Sequence, residues 1–465
     1  MTRYLGTETE YGITCPDNPQ ISPLVTSTHA VVAYAALRTQ ARTRWDYAEE
    51  APLKDARGFN LQRYRSVPVV DANAIGVANV VTTNGARYYV DHGHPEYSSP
   101  ECSNAFDAMV FDAAGDIVLN DAAVCIRELW EQQVSVLAKH EPCPPLKFYK
   151  NNVDGKGRSY GSHENYLYSR HTNFENLTQA LIPFFVTRQV IIGAGRVGIG
   201  QESQEPGFQI SQRADYFEQE ISLETTLNRG IVNTRDEPHA PEEEFRRLHV
   251  IVGDANMSQF SNFLKLGMTS LVLDAIEAGV DFSHLRLKNP VEDIKAVSHD
   301  PTLQYELELL DGQRMSAISI LREYRRRCDG RSDVDKQVLK MWGEVLDDLE
   351  RDPLSTADRL DWTAKWALVR KGAMRTMVSA EEIARAAAHP PEDTRAYFRG
   401  RAGEKFAEDL TASNWQSMLF TVDGQLYRVP LDLLGSHTKA DVGELIENSA
   451  TTRELLSGLG LAPER

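Results

Sequence analysis

The stretch from Ala86 to Cys102, ARYYVDHGHPEYSSPEC, constrains the chain most, because it carries many ionisable groups in a short run. The turn signal Asn84-Gly85 precedes it, and alternation along a strand would place Arg87, Tyr89 and Asp91 on one face. Further carboxylates and hydroxyls follow the next turn, at Glu96, Ser98, Ser99 and Glu101. Burying such groups is costly unless a divalent metal and a phosphate-bearing ligand compensate them. The stretch therefore predicts a site for Mg²⁺ and a phosphate; a solvated loop after an edge strand is the alternative.

A first strand is predicted from Tyr4 to Cys15, YLGTETEYGITC. Alternation places Glu8 and Glu10 on the same face as Gly6. Two carboxylates that share an interior face repel each other unless a cation lies between them. The sequence therefore supports two alternatives equally: a metal site, or a strand whose outer face is exposed to solvent.

Glycines surround a third polar segment, from Pro144 to Tyr168. It predicts two strands joined by a glycine-rich turn, with His163 and Asn165 on one face of the second strand. A later run, GAGRVGIG at 193–200, contains G-x-G but lacks the strand-then-helix context of a dinucleotide fingerprint, so we interpret it as a flexible loop.

A second dense polar cluster lies behind a short apolar strand, in IVNTRDEPHA at 231–240. Arg235, Asp236, Glu237 and His239 follow one another closely there. Exposed ion pairs are the simplest explanation of such a cluster. Its density makes Arg235 and His239 further candidates for the site.

Breakers and capping signals organise the remainder of the chain. They predict a turn at Ala114-Gly115, a break at Pro183, and a helix that begins after Ser258 and ends at Gly279. The run His389-Pro390-Pro391 marks a domain boundary. Other expected helices cover 29–38, 121–137, 315–327 and 334–348, and a hairpin is expected to turn at 423–424.

Charge and cysteine usage limit the class of protein. Lysine and arginine total 50 against 67 aspartates and glutamates, a formal charge of −17, which disfavours nucleic-acid binding. Five scattered cysteines, without metal-type spacing, are typical of reduced cytoplasmic thiols. The N-terminus lacks an apolar signal core, and no apolar run is long enough to span a bilayer. We therefore expect a soluble cytoplasmic enzyme without a membrane or nucleic-acid partner.

Five strings resemble the Pup ligase/Pup deamidase family, in the same order and spacing along nearly the whole chain. They are GTETEYGI (6–13), NGARYYVDHGHPEYSSPEC (84–102), KNNVDGKGRSYGSHENYL (150–167), NTRDEPHA (233–240) and RRLHVIVGDANMS (246–258). An insertion from Thr43 to Pro68, which the ligases of that family lack, resembles the deamidase branch. DHGHPEY, where the ligases have one more residue, also resembles that branch.

The resemblance implies an α+β fold in which a curved antiparallel sheet of the glutamine-synthetase type forms an active-site cradle backed by helices. It places this catalytic domain at residues 1–390, with an active-site loop at 43–68. A small C-terminal α/β domain is expected at 391–465.

The resemblance also implies roles for single residues. Glu8 and Glu96 match Mg²⁺ ligands with Tyr89 near the metal, and Asp91 matches the catalytic aspartate. Matches to nucleotide-binding positions are Arg87, Ser99 and Trp415. His163 is similar to the histidine on the corresponding strand of glutamine synthetases, which makes it a metal or phosphate contact. Clustering adds Glu10 and His239 as metal ligands and Arg235 as a nucleotide contact.

The implied reaction is hydrolysis at the C-terminal side chain of Pup, a small protein tag. It converts the terminal glutamine of Pup to glutamate, and it cleaves the isopeptide bond between Pup and a substrate lysine. The implied cofactors are Mg²⁺ and ATP or ADP. The implied partners are Pup and pupylated proteins, with a functional link to a bacterial proteasome. Asp91 acts as nucleophile or as general base, which the sequence leaves open. The alternatives are an ATP-dependent Pup–protein ligase, a small-molecule amine ligase and a non-catalytic Pup-binding module.

Overall fold

The computed structural model describes residues 3–39, 54–58, 75–154, 157–376, 417–422 and 425–430. Its strands are β1 (Leu5–Glu10), β2 (Gly12–Thr14), β3 (Asn79–Val81), β4 (Arg87–Asp91), β5 (His94–Ser98), β6 (Lys147–Tyr149), β7 (Ser162–Ser169), β8 (Arg196–Ile199), β9 (Glu205–Gln209), β10 (Phe217–Ser222), β11 (Arg229–Asn233), β12 (Phe245–Val250), β13 (Glu306–Glu308), β14 (Arg314–Ser316), β15 (Ser417–Val422) and β16 (Gln425–Pro430). Its α-helices are α1 (Pro23–Tyr34), α2 (Ala105–Glu131), α3 (Phe174–Ile192), α4 (Gln259–Glu277), α5 (Pro290–His299), α6 (Ala317–Arg327), α7 (Asp333–Arg351) and α8 (Asp361–Thr376).

One six-stranded sheet dominates, in the order β12-β7-β1-β5-β4-β3, and every neighbouring pair in it is antiparallel. The first strand of the chain therefore lies in the middle of the sheet. The expected strand from Tyr4 to Cys15 is interrupted at Tyr11, because β2 leaves the sheet to pair with β6. The mixed helix and sheet composition agrees with the expected α+β class.

The two faces of the sheet differ in chemistry, as alternation requires. One face is apolar or fully buried, and it includes Tyr88, Val90, Tyr97, Tyr166 and Leu248. Helices α1, α2 and α4 cover it, and α3, α4, α6 and α7 build the larger core behind them. The other face carries most of the polar side chains that the sequence singles out.

Side-chain caps fix where the main helices begin. Asn104, Asn173 and Ser258 each accept a hydrogen bond from a backbone N–H in the first turn of α2, α3 and α4. The Ser258 cap and the end of α4 near Gly279, which has a φ of 83°, confirm the helix expected there.

The expected turn at Ala114-Gly115 is wrong, because α2 runs unbroken through it. Gly115 serves close packing instead: a Cβ at this position would lie 2.7 Å from Cδ1 of Tyr97 on β5 and 3.1 Å from the hydroxyl of Tyr11. The glycine therefore lets α2 approach the sheet beneath the polar face.

We expect Gly115→Ala to destabilise the protein by about 1–2 kcal/mol, because overpacking against Tyr97 outweighs the gain in helix propensity. The free energy of chemical unfolding measures it. Gly343→Ala is the matched control on α7, since the Cβ there would meet only the guanidinium end of Arg325, 2.7 Å from Cζ, which can move aside. A G115A protein as stable as wild type would show that α2 can shift away from β5.

The expected break at Pro183 is also wrong, because α3 continues to Ile192. Proline removes one backbone hydrogen bond and disfavours the preceding helical turn. Phe184, Phe185 and Val186 that follow it are nonetheless almost wholly buried in the large core. Because α3 is buried on all sides, the free energy gained by packing outweighs the tendency of the proline to interrupt the helix.

The glycine-rich run at 193–200 forms β8, which pairs with β9, so the expected flexible loop is wrong over that strand. The hairpin expected about 423–424 is confirmed, since β15 pairs with β16 from Val422↔Gln425 outward. The boundary near 390 and most of the 43–68 insertion lie outside the described residues.

Among the helices that the structure describes, none combines the length and apolarity that crossing a bilayer requires.

Candidate active site

Strand register assembles the polar face of the sheet. Glu8 on β1 lies opposite Ser98 on β5 and His163 on β7, and Glu10 lies opposite Glu96. The neighbouring β4 aligns its own side chains with β5, in the pairs Arg87↔Ser98, Tyr89↔Glu96 and Asp91↔His94. Residues directly opposite each other share a face, so the three stretches predicted separately meet here.

Three carboxylates form the first group: Glu10, Asp91 and Glu96 offer oxygens that lie within 4.8 Å of one another. Glu96 is only 3% exposed, and burial together with the charges of Glu10 and Asp91 raises its pKa well above the ordinary range. Burial would also raise the pKa of Glu10, but His94, with Nδ1 3.2 Å from Oε2, and His163 lower it. A cluster of this kind suits a hard divalent cation such as Mg²⁺.

The second group is Glu8, His163 and His249, whose candidate ligand atoms also lie within 4.8 Å of one another. The Glu8 carboxylate lies 3.4 Å from Nδ1 of His163 and 3.7 Å from Nε2 of His249. Burial, His163 and Arg247 lower the pKa of His249 well below its ordinary value. A neutral imidazole beside a carboxylate is a competent metal ligand.

His249 and Arg247 were not predicted as site residues. Both belong to the string RRLHVIV, whose resemblance to the family assigned no role to either of them. Alternation within it places Arg247 and His249 on one face of β12, and Arg247 Nη1 lies 3.0 Å from Oδ1 of Asn165 and 3.7 Å from Glu8. That period-two pattern was the available signal.

Arg87, Tyr89 and Ser99 lie beside the carboxylates. The Arg87 guanidinium stands 3.9 Å above the ring of Tyr89 and donates to Oδ1 of Asn79 at 2.9 Å. Tyr89 shares a 3.1 Å hydrogen bond with the hydroxyl of Ser98. Ser99 Oγ accepts from the backbone N–H of Thr7 and donates to the carbonyl of Pro100. This end of the sheet combines a cation, hydroxyls and an aromatic face.

Arg235 extends the polar face beyond β12. It is half-buried, and its Nε has no hydrogen-bond partner within the described ranges. Lys54–Gly58, the described part of the insertion, docks here: Asp55 accepts from the Thr234 hydroxyl at 2.7 Å, and Asp236 N–H donates to the Lys54 carbonyl. The described part of the insertion thus contacts the segment that carries Arg235, and the active-site role of the loop stays a prediction.

Two predicted residues do not join the groups. His239 is exposed, has a φ of 49°, and belongs to neither group of potential ligands in the part of the chain that the structure covers. Trp415 lies outside the described residues.

Arg213 and Arg229 are buried cations that the sequence interpretation missed as site residues. Burial and the neighbouring Arg229 lower the pKa of Arg213 to about 10, while Glu10 opposes that change. Arg213 also donates to Ser159 Oγ, and Arg229 to the Ser159 carbonyl. Guanidiniums held near a carboxylate cluster can bind an anionic group or stabilise a developing oxyanion.

The sequence profile of the family described as "Pup-ligase protein" matches residues 3–371 and 366–419. The chain is 47% identical to the Pup deamidase/depupylase of Mycolicibacterium smegmatis over an alignment of 510 positions. The alignment covers 99% of this chain and all of that protein. It is 45% identical over 518 residues to the Pup deamidase/depupylase of Mycobacterium tuberculosis strain H37Rv, with both chains fully covered. The Pup–protein ligase of Geodermatophilus obscurus is 42% identical, over 63% of this chain and 65% of that protein.

Two solved structures are similar in fold. The ligase PafA in complex with the prokaryotic ubiquitin-like protein Pup superposes with a TM-score of 0.64 at 26% identity, covering 96% of each chain. PafA in complex with ADP gives a TM-score of 0.57 at 26% identity, covering 86% of this chain and all of that chain.

Proposed function

Because this chain belongs to the Pup-ligase family, we propose that it is a Pup deamidase and depupylase. Full-length similarity carries the proposal. Relatives with that name align over 99–100% of the chain at 45–47% identity, whereas the ligase of Geodermatophilus obscurus aligns over 63%. The resemblance implies that the ligases lack the Thr43 to Pro68 insertion. Its presence here supports the same assignment.

The reaction is amide hydrolysis at one γ-carbonyl. In deamidation the leaving group is ammonia from the terminal glutamine of Pup, and in depupylation it is the amine of a substrate lysine. Both need a nucleophile or base beside the carbonyl and positive charge near the oxygen. Asp91 and the arginines of the polar face supply these two requirements.

We assign the polar face of the six-stranded sheet as the floor of a cradle of the glutamine-synthetase type. The antiparallel order and the helices behind one face support this assignment. Residues 1–390 would form the catalytic domain, with 43–68 as its active-site loop. Residues 391–465 would form the small second domain.

The donor set of the site fits Mg²⁺. Burial and the charges of Glu10 and Asp91 raise the pKa of Glu96, so a cation bound between these carboxylates would favour the ionised form of Glu96. Glu8, Glu10 and Glu96 would hold the metal, with Tyr89 beside it and His163 and His249 completing the second group. A bound Mg²⁺ would polarise the scissile carbonyl and orient phosphate oxygens.

A nucleotide would bind next to the metal groups. The similarity to PafA, solved in complex with ADP, supports this. Arg87 and Ser99 would contact it at the β4–β5 end, and Arg235 would present its Nε to a phosphate. Trp415 is assigned only by resemblance.

Asp91 is placed to act on the substrate. It lies at the end of β4 with its side chain 43% exposed, and its Oδ2 lies 2.8 Å from Nδ1 of His92. Exposure leaves the carboxylate accessible to a carbonyl or to a water molecule. It would either attack directly, giving a mixed anhydride, or activate water.

Pup and pupylated proteins are the proposed partners, with a functional link to a bacterial proteasome. The similarity to PafA in complex with Pup supports the first of these. All five cysteines are free, which fits the reducing cytoplasm proposed as its compartment.

Mass spectrometry of Pup ending in glutamine, incubated with the full chain, Mg²⁺ and nucleotide, tests the function. We expect the terminal glutamine to be converted to glutamate and lysine-linked Pup to be released from a pupylated protein. If that Pup stayed unchanged while Pup ending in glutamate became attached to lysines with consumption of ATP, the ligase function would replace this one.

A further inference from the structure

An ion cluster lies behind the sheet, on the face opposite the carboxylates, with Lys150 and Asp112 buried and the Asp116 side chain 44% exposed. The Lys150 side chain is only 5% exposed, and its Nζ lies 2.8 Å from Oδ2 of Asp112 and 3.2 Å from Oδ1 of Asp116, both on α2. Asn262 on α4 donates a further hydrogen bond to Asp112. Lys150 thus joins the loop after β6 to α2, and Asn262 joins Asp112 to α4.

The same acids hold the residues on either side of Glu10. The Thr9 hydroxyl donates to Oδ1 of Asp112 at 3.2 Å, and the Tyr11 hydroxyl donates to Oδ1 of Asp116 at 2.7 Å. Since successive side chains of an extended chain point to opposite faces, anchoring Thr9 on β1 and Tyr11 directly after it fixes the direction in which Glu10 projects.

The loop that begins at Lys150 also reaches the front of the sheet. The backbone N–H of Glu10 donates to the carbonyl of Gly161 at 3.1 Å. Tyr160 stacks on His94 with ring centroids 4.5 Å apart, and His94 faces Glu10. The position of this loop therefore affects Glu10 from both faces.

Charge balance makes Lys150 the central member of the cluster. Asp112 is 3% exposed, and a buried carboxylate needs a cation and hydrogen bonds to remain ionised. Lys150 contacts both acids directly, whereas Lys265, the other buried lysine nearby, donates to the carbonyl of Asp254. Without Lys150, the two acids would repel each other and release Thr9 and Tyr11.

We propose that Lys150 is a positioning residue that orients Glu10 for metal binding through Asp112 and Asp116. It touches neither substrate nor metal. The inference rests on the proposed function only in assigning Glu10 as a metal ligand.

The affinity of the full chain for Mn²⁺, measured by electron paramagnetic resonance, tests it without any turnover. We expect Lys150→Met to weaken Mn²⁺ binding by about tenfold or more, as for other residues that support metal ligands indirectly. Lys150→Arg keeps the charge and should restore affinity to within about threefold of wild type. Folded K150M that binds Mn²⁺ as wild type does would overturn the proposal.

Thr9→Val with Tyr11→Phe is the second variant, because it cuts both links to β1 while keeping side-chain volume. We expect this double variant to weaken Mn²⁺ binding in the same direction, and unchanged affinity would overturn the proposal even if K150M did not fold. Leu346→Ala, at a buried position of α7, a helix that packs against α4 and α6, is the matched control for lost stability. It should lower the melting temperature and leave Mn²⁺ affinity unchanged. Equal loss of affinity in L346A would also overturn the proposal, while absence of Pup hydrolysis in wild type would affect only the proposed function.

Discussion

Replacement of Asp91 by asparagine is expected to reduce hydrolysis of Pup by about 10³-fold, because the amide is neither a base nor an effective nucleophile. Asparagine keeps the size of the side chain and can still accept from His92, so the strand should be undisturbed. Nucleotide affinity should stay within about threefold of wild type, a change of less than ~1 kcal/mol. Hydrolysis is followed by mass spectrometry of Pup, and nucleotide binding by calorimetry.

Asp333→Asn is the matched control, since that aspartate is exposed at the start of α7 with Lys336 as its ion-pair partner. It should leave both readouts unchanged. Full hydrolysis by D91N would remove Asp91 from the chemistry. A non-catalytic Pup-binding module would instead show no hydrolysis in either protein and the same binding of Pup in both.

Label incorporated into Asp91 during a single turnover in ¹⁸O-labelled water would establish that Asp91 acts as the nucleophile. Label in the Asp91 peptide after one turnover requires a mixed anhydride opened at the aspartyl carbonyl. A general base leaves Asp91 unlabelled and puts the label into the new carboxylate of Pup, and so does a mixed anhydride that water opens at the carbonyl of Pup.

Replacement of Arg188 by methionine should destabilise the protein by about 3–5 kcal/mol, because it leaves Glu164 buried without a counter-charge. Both Arg188 and Glu164 are fully buried, and the guanidinium donates two hydrogen bonds to the carboxylate, at 2.8 and 2.7 Å. Tyr166 and Thr269 complete the network. The midpoint of denaturant unfolding, followed by tryptophan fluorescence, measures the loss.

The double variant Arg188→Met with Glu164→Gln removes both charges. It should recover much of the lost stability, since replacing a whole buried pair costs less than breaking it. The free energy of unfolding of R188M could instead lie within about 1 kcal/mol of the wild-type value. The charge of Glu164 would then have been neutralised by a proton or by another cation, and Lys265 would be the first group to examine.

Local alternation predicted much of the candidate site. The grouping of Glu8 with Glu10, of Arg87, Tyr89 and Asp91, and of His163 with Asn165 is confirmed by the strand pairing. Each of these groups lies within one strand, where the side-chain period of two decides the face. What alternation could not provide was the register between strands that lie far apart in the chain.

The contact of Glu8 with His163 spans 155 positions. His249 was missed for the same reason, since nothing local says that β12 pairs with β7. The two errors in the helices, at Gly115 and Pro183, have a related origin. Both residues usually interrupt helices, but here packing against Tyr97 and burial in the core decide the outcome.

The central position of β1 has a consequence for biosynthesis. The strand made first must pair with β5 and then with β7, which is complete only at Ser169. At roughly 5–20 residues per second, an emerging chain carries β1 without its β7 neighbour for roughly ten to thirty seconds. Pairing over such distances is slow, and an exposed strand can associate with other chains meanwhile. The arrangement that brings the carboxylates together thus leaves β1 waiting for a neighbour, β7, that is complete only about 160 residues later along the chain.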